Sequence, residues 1–254
     1  VDKSADRGSV GRMQGQSTSF REAFASLKAA QKGHARGAPA YSVYVNRRIG
    51  RVLAAFAHTR GWSPNQVTAI SAAHTFVGIA LIVALPPSWW SGLLIGVLLA
   101  LGYAWDSADG QVARLRGGGS VAGEWLDHFV DAAKLSLLHL AVLVGLWLHT
   151  PLRDNAWLLV PLVFSATSTV TFFGMLLNDL LKASRSVAST HSRGGGTLLR
   201  STVLLPTDFG VVCLIFLLWG WTEGFIVLYA LLAFAALAFL ALASVKWFRE
   251  MKSL

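Results

Sequence analysis

Six apolar stretches near membrane length constrain this chain more than anything else in it. They fall near residues 66–86, 89–108, 126–149, 156–181, 203–220 and 224–245. Each approaches the ~20 residues that a helix needs to cross a bilayer. The expected fold class is therefore all-α and integral to a membrane, with six transmembrane helices. The fifth stretch is the weakest, being short and holding Asp208 near its start. Trp89, Trp90, Trp157, Trp219 and Trp221 lie at expected span ends, where interfacial aromatics gather. No repeat of 20–50 residues is evident.

Charge is distributed as unevenly as hydrophobicity. The net charge is +9, and 11 of the 22 Lys and Arg residues precede residue 61. Such a balance suits either nucleic acid or an anionic membrane surface. With 54% of residues hydrophobic and 14% charged, the membrane is the expected partner and nucleic acid is not. The single cysteine, Cys213, lies in an apolar run, which excludes an intrachain disulfide and reads as packing.

The basic N-terminal part has its own organisation. Residues 1–18 are polar. They read as disordered and lack the apolar region of a cleavable signal peptide. Residues 19–32 suit a short helix, broken by Gly33, Gly37 and Pro39. Over residues 41–60, Val45, Ile49, Val52, Leu53 and Phe56 make an apolar stripe beside Arg47, Arg48 and Arg51. That pattern suits an amphipathic helix lying in the membrane interface; the alternative is a solvated arm. The expected organisation is an extension over 1–40, partly disordered, a juxtamembrane amphipathic helix over 41–62, and a six-helix domain over 63–249.

Basic residues also mark one side of the membrane. The N-terminal part, the 109–125 and 182–201 connections and Lys246, Arg249 and Lys252 are basic, while the opposite connections hold only Arg153 beside Asp154, and Glu223. The positive-inside rule then places both termini, and the 109–125 connection, in the cytoplasm.

Four aspartates stand at the edges of two of these spans: Asp106, Asp109, Asp127 and Asp131, within DSADGQVARLRGGGSVAGEWLDHFVD. Carboxylates at a bilayer edge are costly. The first pair is spaced i, i+3 and the second i, i+4, so each pair shares a helix face. Converging carboxylates repel one another unless cations lie between them, and oxygen ligands suit Mg²⁺, Mn²⁺ or Ca²⁺ better than zinc. Gly110 and Ala113 are small, and Arg114 offers a fixed charge suited to a phosphate or diphosphate. Gly117, Gly118, Gly119 and Gly123 allow close backbone approach. This combination points to phosphoryl transfer.

The stretch fits D-x2-D-G-x2-A-R-x8-G-x3-D-x3-D at all eight fixed positions. At residue frequencies on the order of 5%, a given window matches by chance about once in 10¹⁰. It resembles the signature of the CDP-alcohol phosphotransferases, membrane enzymes of phospholipid synthesis. The resemblance covers roughly residues 60–245. It implies that an alcohol hydroxyl attacks a CDP-linked donor, often CDP-diacylglycerol, at the phosphorus distal to the cytidine, releasing CMP. It further implies two ions, Mg²⁺ or Mn²⁺, held by Asp106, Asp109 and Asp127, with Asp131 as general base and a further metal contact. Gly110, Ala113 and Gly123 would make room for cytidine, Arg114 would hold the diphosphate, and the protein would be a homodimer. Family members often carry Pro-Asn-x-x-Thr before the first span. Asn65 and Thr68 then frame the nucleotide, unless SPNQVT is only a helix start.

The acceptor is less explicit. Lys182, Arg185, His191, Arg193 and Arg200 lie in or beside the connection after the fourth span. Arg185, Arg193 and Arg200 are candidates for an acceptor phosphate, unless they only mark topology. Lys134, three residues after Asp131, either pairs with a cluster carboxylate or reaches the acceptor. His128 is expected off the cluster face, and His74 and His139 as packed residues. Asn178, Asp179 and Asp208 are candidates to line the acceptor cavity. The favoured acceptor is a small polyol or polyol phosphate, such as inositol phosphate or glycerol phosphate. The alternatives are transfer of a CDP-linked headgroup to a lipid or soluble alcohol, a divalent-cation transporter, and a scaffold with a degenerate site. A transporter site belongs near the midplane, and an intact signature does not suit a degenerate one.

Overall fold

The computed structural model describes residues 19–30, 38–187 and 198–254; expectations for residues 1–18 lie outside them. Helix α1 spans Phe20–Ala30, and a π-helical turn over Ser42–Asn46 leads into α2, Arg47–Thr59. The long helices follow: α3 (Pro64–Ala84), α4 (Trp89–Leu115), α5 (Val121–His149) and α6 (Leu159–Ser184). After them come α7 (Leu198–Val203), α8 (Phe209–Ile215) and α9 (Thr222–Lys252). Among the described residues there is no strand.

Local chemistry sets the starts of these helices. Ser63 and Gln66 form a reciprocal cap ahead of α3, with Pro64 in its first turn. The missing proline N–H costs nothing there. Ser88 and Ser91 cap α4 in the same way, and Ser120 Oγ accepts Gly123 N–H at the start of α5. Pro86 and Pro87 follow the end of α3 and separate it from α4.

Among the described residues, five helices are long and apolar enough to cross a membrane. The expected fifth span, 203–220, is instead built from pieces. A 3₁₀ turn covers Leu205–Thr207, α8 begins at Phe209, and a second 3₁₀ turn covers Phe216–Leu218. Pro206 withholds a backbone donor, and the Asp208 carboxylate caps a new helix rather than continuing an old one. A ten-residue helix is about 15 Å long, half of a ~30 Å hydrocarbon core. Among the described residues the apolar architecture is thus five long helices and one short helix, Phe209–Leu218.

Small residues bring the long helices together. Ser71 Oγ donates to the Gly102 carbonyl at 2.8 Å, and Thr75 fills the space that a side chain at Gly102 would need. Added side chains would likewise meet the Ile82 backbone at Gly145 and Trp247 at Gly174. Close approach of this kind replaces the hydrophobic drive that lipid removes. Between these contacts lies a core including Ile82, Leu99, Leu138, Phe216, Trp219 and Tyr229. His139 is buried in it, with Nδ1 at 2.5 Å from the Tyr229 hydroxyl and Nε2 at 3.1 Å from Ser168 Oγ. His74 Nδ1 meets the Ile70 carbonyl at 2.8 Å. Both histidines are packed and hydrogen-bonded, as expected.

Helix α2 buries Gly50, Ala54 and Ala57, with Gly50 set against Ser107 of α4. Val45, Ile49, Val52 and Phe56 remain exposed, an outward apolar stripe suited to an interface. Leu53 turns inward. Arg51 stands over the Phe24 ring of α1.

Gly102→Ala should destabilise the protein by about 1–3 kcal/mol through overpacking at the α3–α4 contact. Thermal unfolding in detergent measures it, and an unchanged midpoint would show that Thr75 yields freely.

Candidate active site

Helix length carries the carboxylates to one end of the molecule. Helix α4 has 27 residues, about 40 Å against a ~30 Å hydrocarbon core. Asp106 and Asp109 stand in its last turns, and Asp127 and Asp131 stand in the early turns of α5. The connection reverses at Gly117 and Gly118, with φ of +88° and +138°. Side chains are disfavoured in that left-handed region. Arg116 Nη2 fastens the turn to the Gly61 carbonyl at 2.7 Å. Nearby, burial and then the Arg116 charge hold the His58 imidazole below its ordinary pKa.

The carboxylates converge. Lys134 Nζ donates to Asp106 Oδ1 at 2.8 Å and pairs with Asp131 Oδ1 at 2.5 Å. The ammonium is buried and lies 5.5 Å from the centroid of the Phe209 ring. Of the two possibilities for Lys134, the structure therefore shows the pairing. Asp109 is 5% exposed and accepts the Thr68 hydroxyl at 2.7 Å. It is within electrostatic reach of Asp106 and Asp127. A buried carboxylate needs such donors to offset its desolvation.

Asp127, His128 and Asp131 each offer an atom within 4.8 Å of the others. This corrects the expectation that His128 points away from the cluster. It precedes Asp131 by three residues, a spacing that makes helix neighbours. Its ring also stands 4.0 Å from Glu124 and edge-on to Phe172. Oxygen-rich donors with one imidazole fit Mg²⁺ or Mn²⁺, so the residues present suit a divalent ion.

The residues expected around a nucleotide are also neighbours. A side chain added at Gly123 would come within 2.9 Å of Asn65 Oδ1. One added at Gly110 would lie 3.7 Å from Arg114 Nη1. Ala113 is half-buried and Arg114 exposed. Thr68 is buried with its hydroxyl turned to Asp109. The sequence offers Thr68 as a nucleotide contact or as part of a helix start; its bond to Asp109 spans 41 residues and has no local signal.

The acceptor candidates scatter more widely. Arg185 is exposed at the end of α6, with Nη1 3.5 Å from the Leu254 carbonyl. Lys182 is buried in a 2.6 Å ion pair with Glu250 of α9. Arg193 and the Arg200 side chain lie outside the described residues. Asp208 does not line an open cavity. It is 1% exposed and accepts Gly210 N–H at 2.9 Å and Ser42 N–H at 2.8 Å. The pattern Asp-x-Gly before an apolar run is a helix-start signal that could have revealed its capping role.

Two solved structures of a Mycobacterium tuberculosis protein, phosphatidylinositol phosphate synthase (PgsA1), share the fold. The one with CDP-DAG bound is 23% identical with a TM-score of 0.50, over 78% of this chain and 90% of that one. The one in complex with manganese and citrate is 20% identical with a TM-score of 0.50, over 80% and 89%. At such identities the likeness speaks for the fold alone. Among curated proteins no sequence match is found. The family model described as CDP-alcohol phosphatidyltransferase matches residues 61–245, which include all four aspartates. By that match, over more than half its length, the chain belongs to the CDP-alcohol phosphatidyltransferase family.

Proposed function

We propose that the protein moves a phosphatidyl group from CDP-diacylglycerol to a small polyol or polyol phosphate, such as inositol phosphate or glycerol phosphate, and releases CMP. The observation that carries this reading is the convergence of Asp106, Asp109, Asp127 and Asp131 at adjoining helix ends, with Lys134 bridging two of them. The CDP-DAG in the mycobacterial neighbour supports the donor, and its manganese supports the ion. The position of the aspartates near span ends disfavours a transporter, whose site belongs near the midplane.

Each residue then has a task. The acceptor hydroxyl gives its proton to Asp131 as its oxygen attacks the phosphorus distal to cytidine. A new P–O bond forms, the P–O bond to CMP breaks, and CMP leaves with the electron pair. Lys134 holds Asp131 in place through their ion pair. Arg114 binds the diphosphate, while Gly110, Ala113 and Gly123 keep the space beside Asn65 open for the nucleotide. Asp106, Asp109, Asp127 and Asp131 would hold Mg²⁺ or Mn²⁺, as two ions, which when bound offset negative charge on the diphosphate and on departing CMP.

The remaining parts follow from the same reading. Residues 63–249 form the catalytic domain, with 41–62 as its juxtamembrane helix and 1–40 as an extension. The site and both termini face the cytoplasm, and the protein works as a homodimer. Arg185, Arg193 and Arg200 are the candidates to meet an acceptor phosphate. A screen of CMP release from CDP-diacylglycerol against polyols, polyol phosphates and lipid alcohols tests the assignment. Turnover with a phosphorylated polyol alone would support the phosphate-binding arginines. Turnover with only lipid alcohols would overturn the acceptor class.

Metal removal is the first check. EDTA should abolish CMP release until Mg²⁺ or Mn²⁺ returns, and Asp127→Asn should remove it in the presence of metal. Full activity in EDTA would exclude metal dependence.

Thr68→Val keeps shape but removes the donor that orients Asp109. Loss of such an outer contact typically weakens metal affinity or activity by about 10–100-fold. Paramagnetic resonance of free Mn²⁺ measures the affinity directly, and wild-type binding in the variant would leave Thr68 a packing role.

Asp131→Asn should lower the rate by about 10²–10⁴-fold, the usual cost of losing a general base. Donor binding, followed separately by CDP-diacylglycerol protection against thermal unfolding, should change far less. Equal losses in rate and binding would make Asp131 chiefly a ligand.

A further inference from the structure

Asp208 lies where three distant parts of the chain meet. Through Gly210 N–H it caps α8, and through Ser42 N–H it grips the turn before α2. The Tyr103 hydroxyl of α4 donates to it at 3.4 Å. The aromatic rings follow the same arrangement. Tyr41 lies nearly parallel to Tyr103, at 6.4 Å and 11°, and occupies the space a side chain at Gly210 would take. Asn46 Nδ2 adds a bond to the Tyr103 carbonyl at 3.0 Å.

This assembly ends at the carboxylate cluster. Tyr103 precedes Asp106 by three residues, so the two are helix neighbours. Phe209, adjacent to Asp208, packs edge-on against Tyr103 at 5.3 Å. Its ring also stands 5.5 Å from Lys134 Nζ. A cation over an aromatic ring is held by the ring's quadrupole, more firmly when both are shielded from water. The position of Asp208 thus fixes Phe209, and Phe209 supports the ammonium that bridges Asp106 and Asp131.

We propose that Asp208 is a positioning residue for the transfer reaction: by clamping Ser42 and Tyr103 to α8 it seats Phe209 against Lys134 and so sets how Lys134 holds Asp131. The inference rests on the transferase reading above. It makes residues 41–46, which precede the family match, part of the working enzyme.

A double-mutant cycle on the full-length protein tests it, with CMP release as the readout. Asp208→Asn keeps size and one capping oxygen but turns an amide donor toward groups that now donate to it. Phe209→Leu keeps apolar bulk and leaves the Asp208 bonds alone. Each should lower kcat by roughly tenfold with donor KM nearly unchanged, the size expected for coupling between contacting residues. In a Lys134→Gln background neither should lower kcat further. Losses that multiply independently of Lys134 would overturn the proposal. If Lys134→Gln abolishes turnover, the Phe209→Leu protein decides: lowered kcat at constant KM supports the role, and unchanged kcat refutes it. A wild-type protein that releases no CMP would remove the transferase reading and this inference together. Independent losses in an active protein would remove only the inference.

Discussion

The bridge from Lys134 to Asp106 and Asp131 is the constraint around which the site is arranged. An ammonium that is 5% exposed survives at a membrane edge only with opposite charge in contact. Removing one partner of such a buried pair typically costs about 3–5 kcal/mol, because the other is left uncompensated. The bridge also joins α4 to α5 beyond their short connection. It is the Lys134 ammonium that keeps Asp106 and Asp131 close despite their like charge. Asp109 and Asp127 then complete the carboxylate cluster, with the Thr68 hydroxyl bonded to Asp109 and His128 beside Asp127 and Asp131.

The surrounding helices make that bridge possible by approaching closely where size permits. Gly102 lets α3 and α4 meet with a side-chain hydroxyl bonded to a backbone carbonyl. Along α5, the polar groups that follow Lys134 turn inward and are satisfied there. Ser136 bonds to Thr169 and the Ala132 carbonyl, and His139 bonds within a ring-lined niche against Phe164. Buried polar networks of this kind fix one packing arrangement when every member is satisfied. The long α5 therefore carries two of the clustered carboxylates at one end and satisfied polar groups along its length.

Much of this was legible because it is local. Apolar length gave the long helices, Ser63 and Pro64 marked the start of α3, and the spacing of the aspartates gave two shared faces. The stripe on α2 was legible for the same reason. What the chain concealed depends on tertiary distance. Lys182 finds Glu250 across 68 residues, and Asp208 finds Ser42 across 166, and no local pattern announces either partner. The fifth apolar stretch was legible as the weakest, but hydrophobicity does not register where a proline and a capping carboxylate interrupt a helix. Adjacency to Asp127 hides that His128, three residues before Asp131, is its neighbour on the helix surface.

The capping of α4 at Ser88, with Trp89 and Trp90 exposed at its start, gives the site a measured depth. From Trp89 to Asp106 the backbone is one uninterrupted helix, so the tryptophans and the carboxylates are the two ends of a rigid ruler. Each residue of that ruler advances about 1.5 Å and turns about 100°. A single inserted residue would therefore change the height of Asp106 and Asp109 only slightly but swing them off the face that meets Lys134. Rotational phase, more than distance from the bilayer centre, is what the length of α4 preserves.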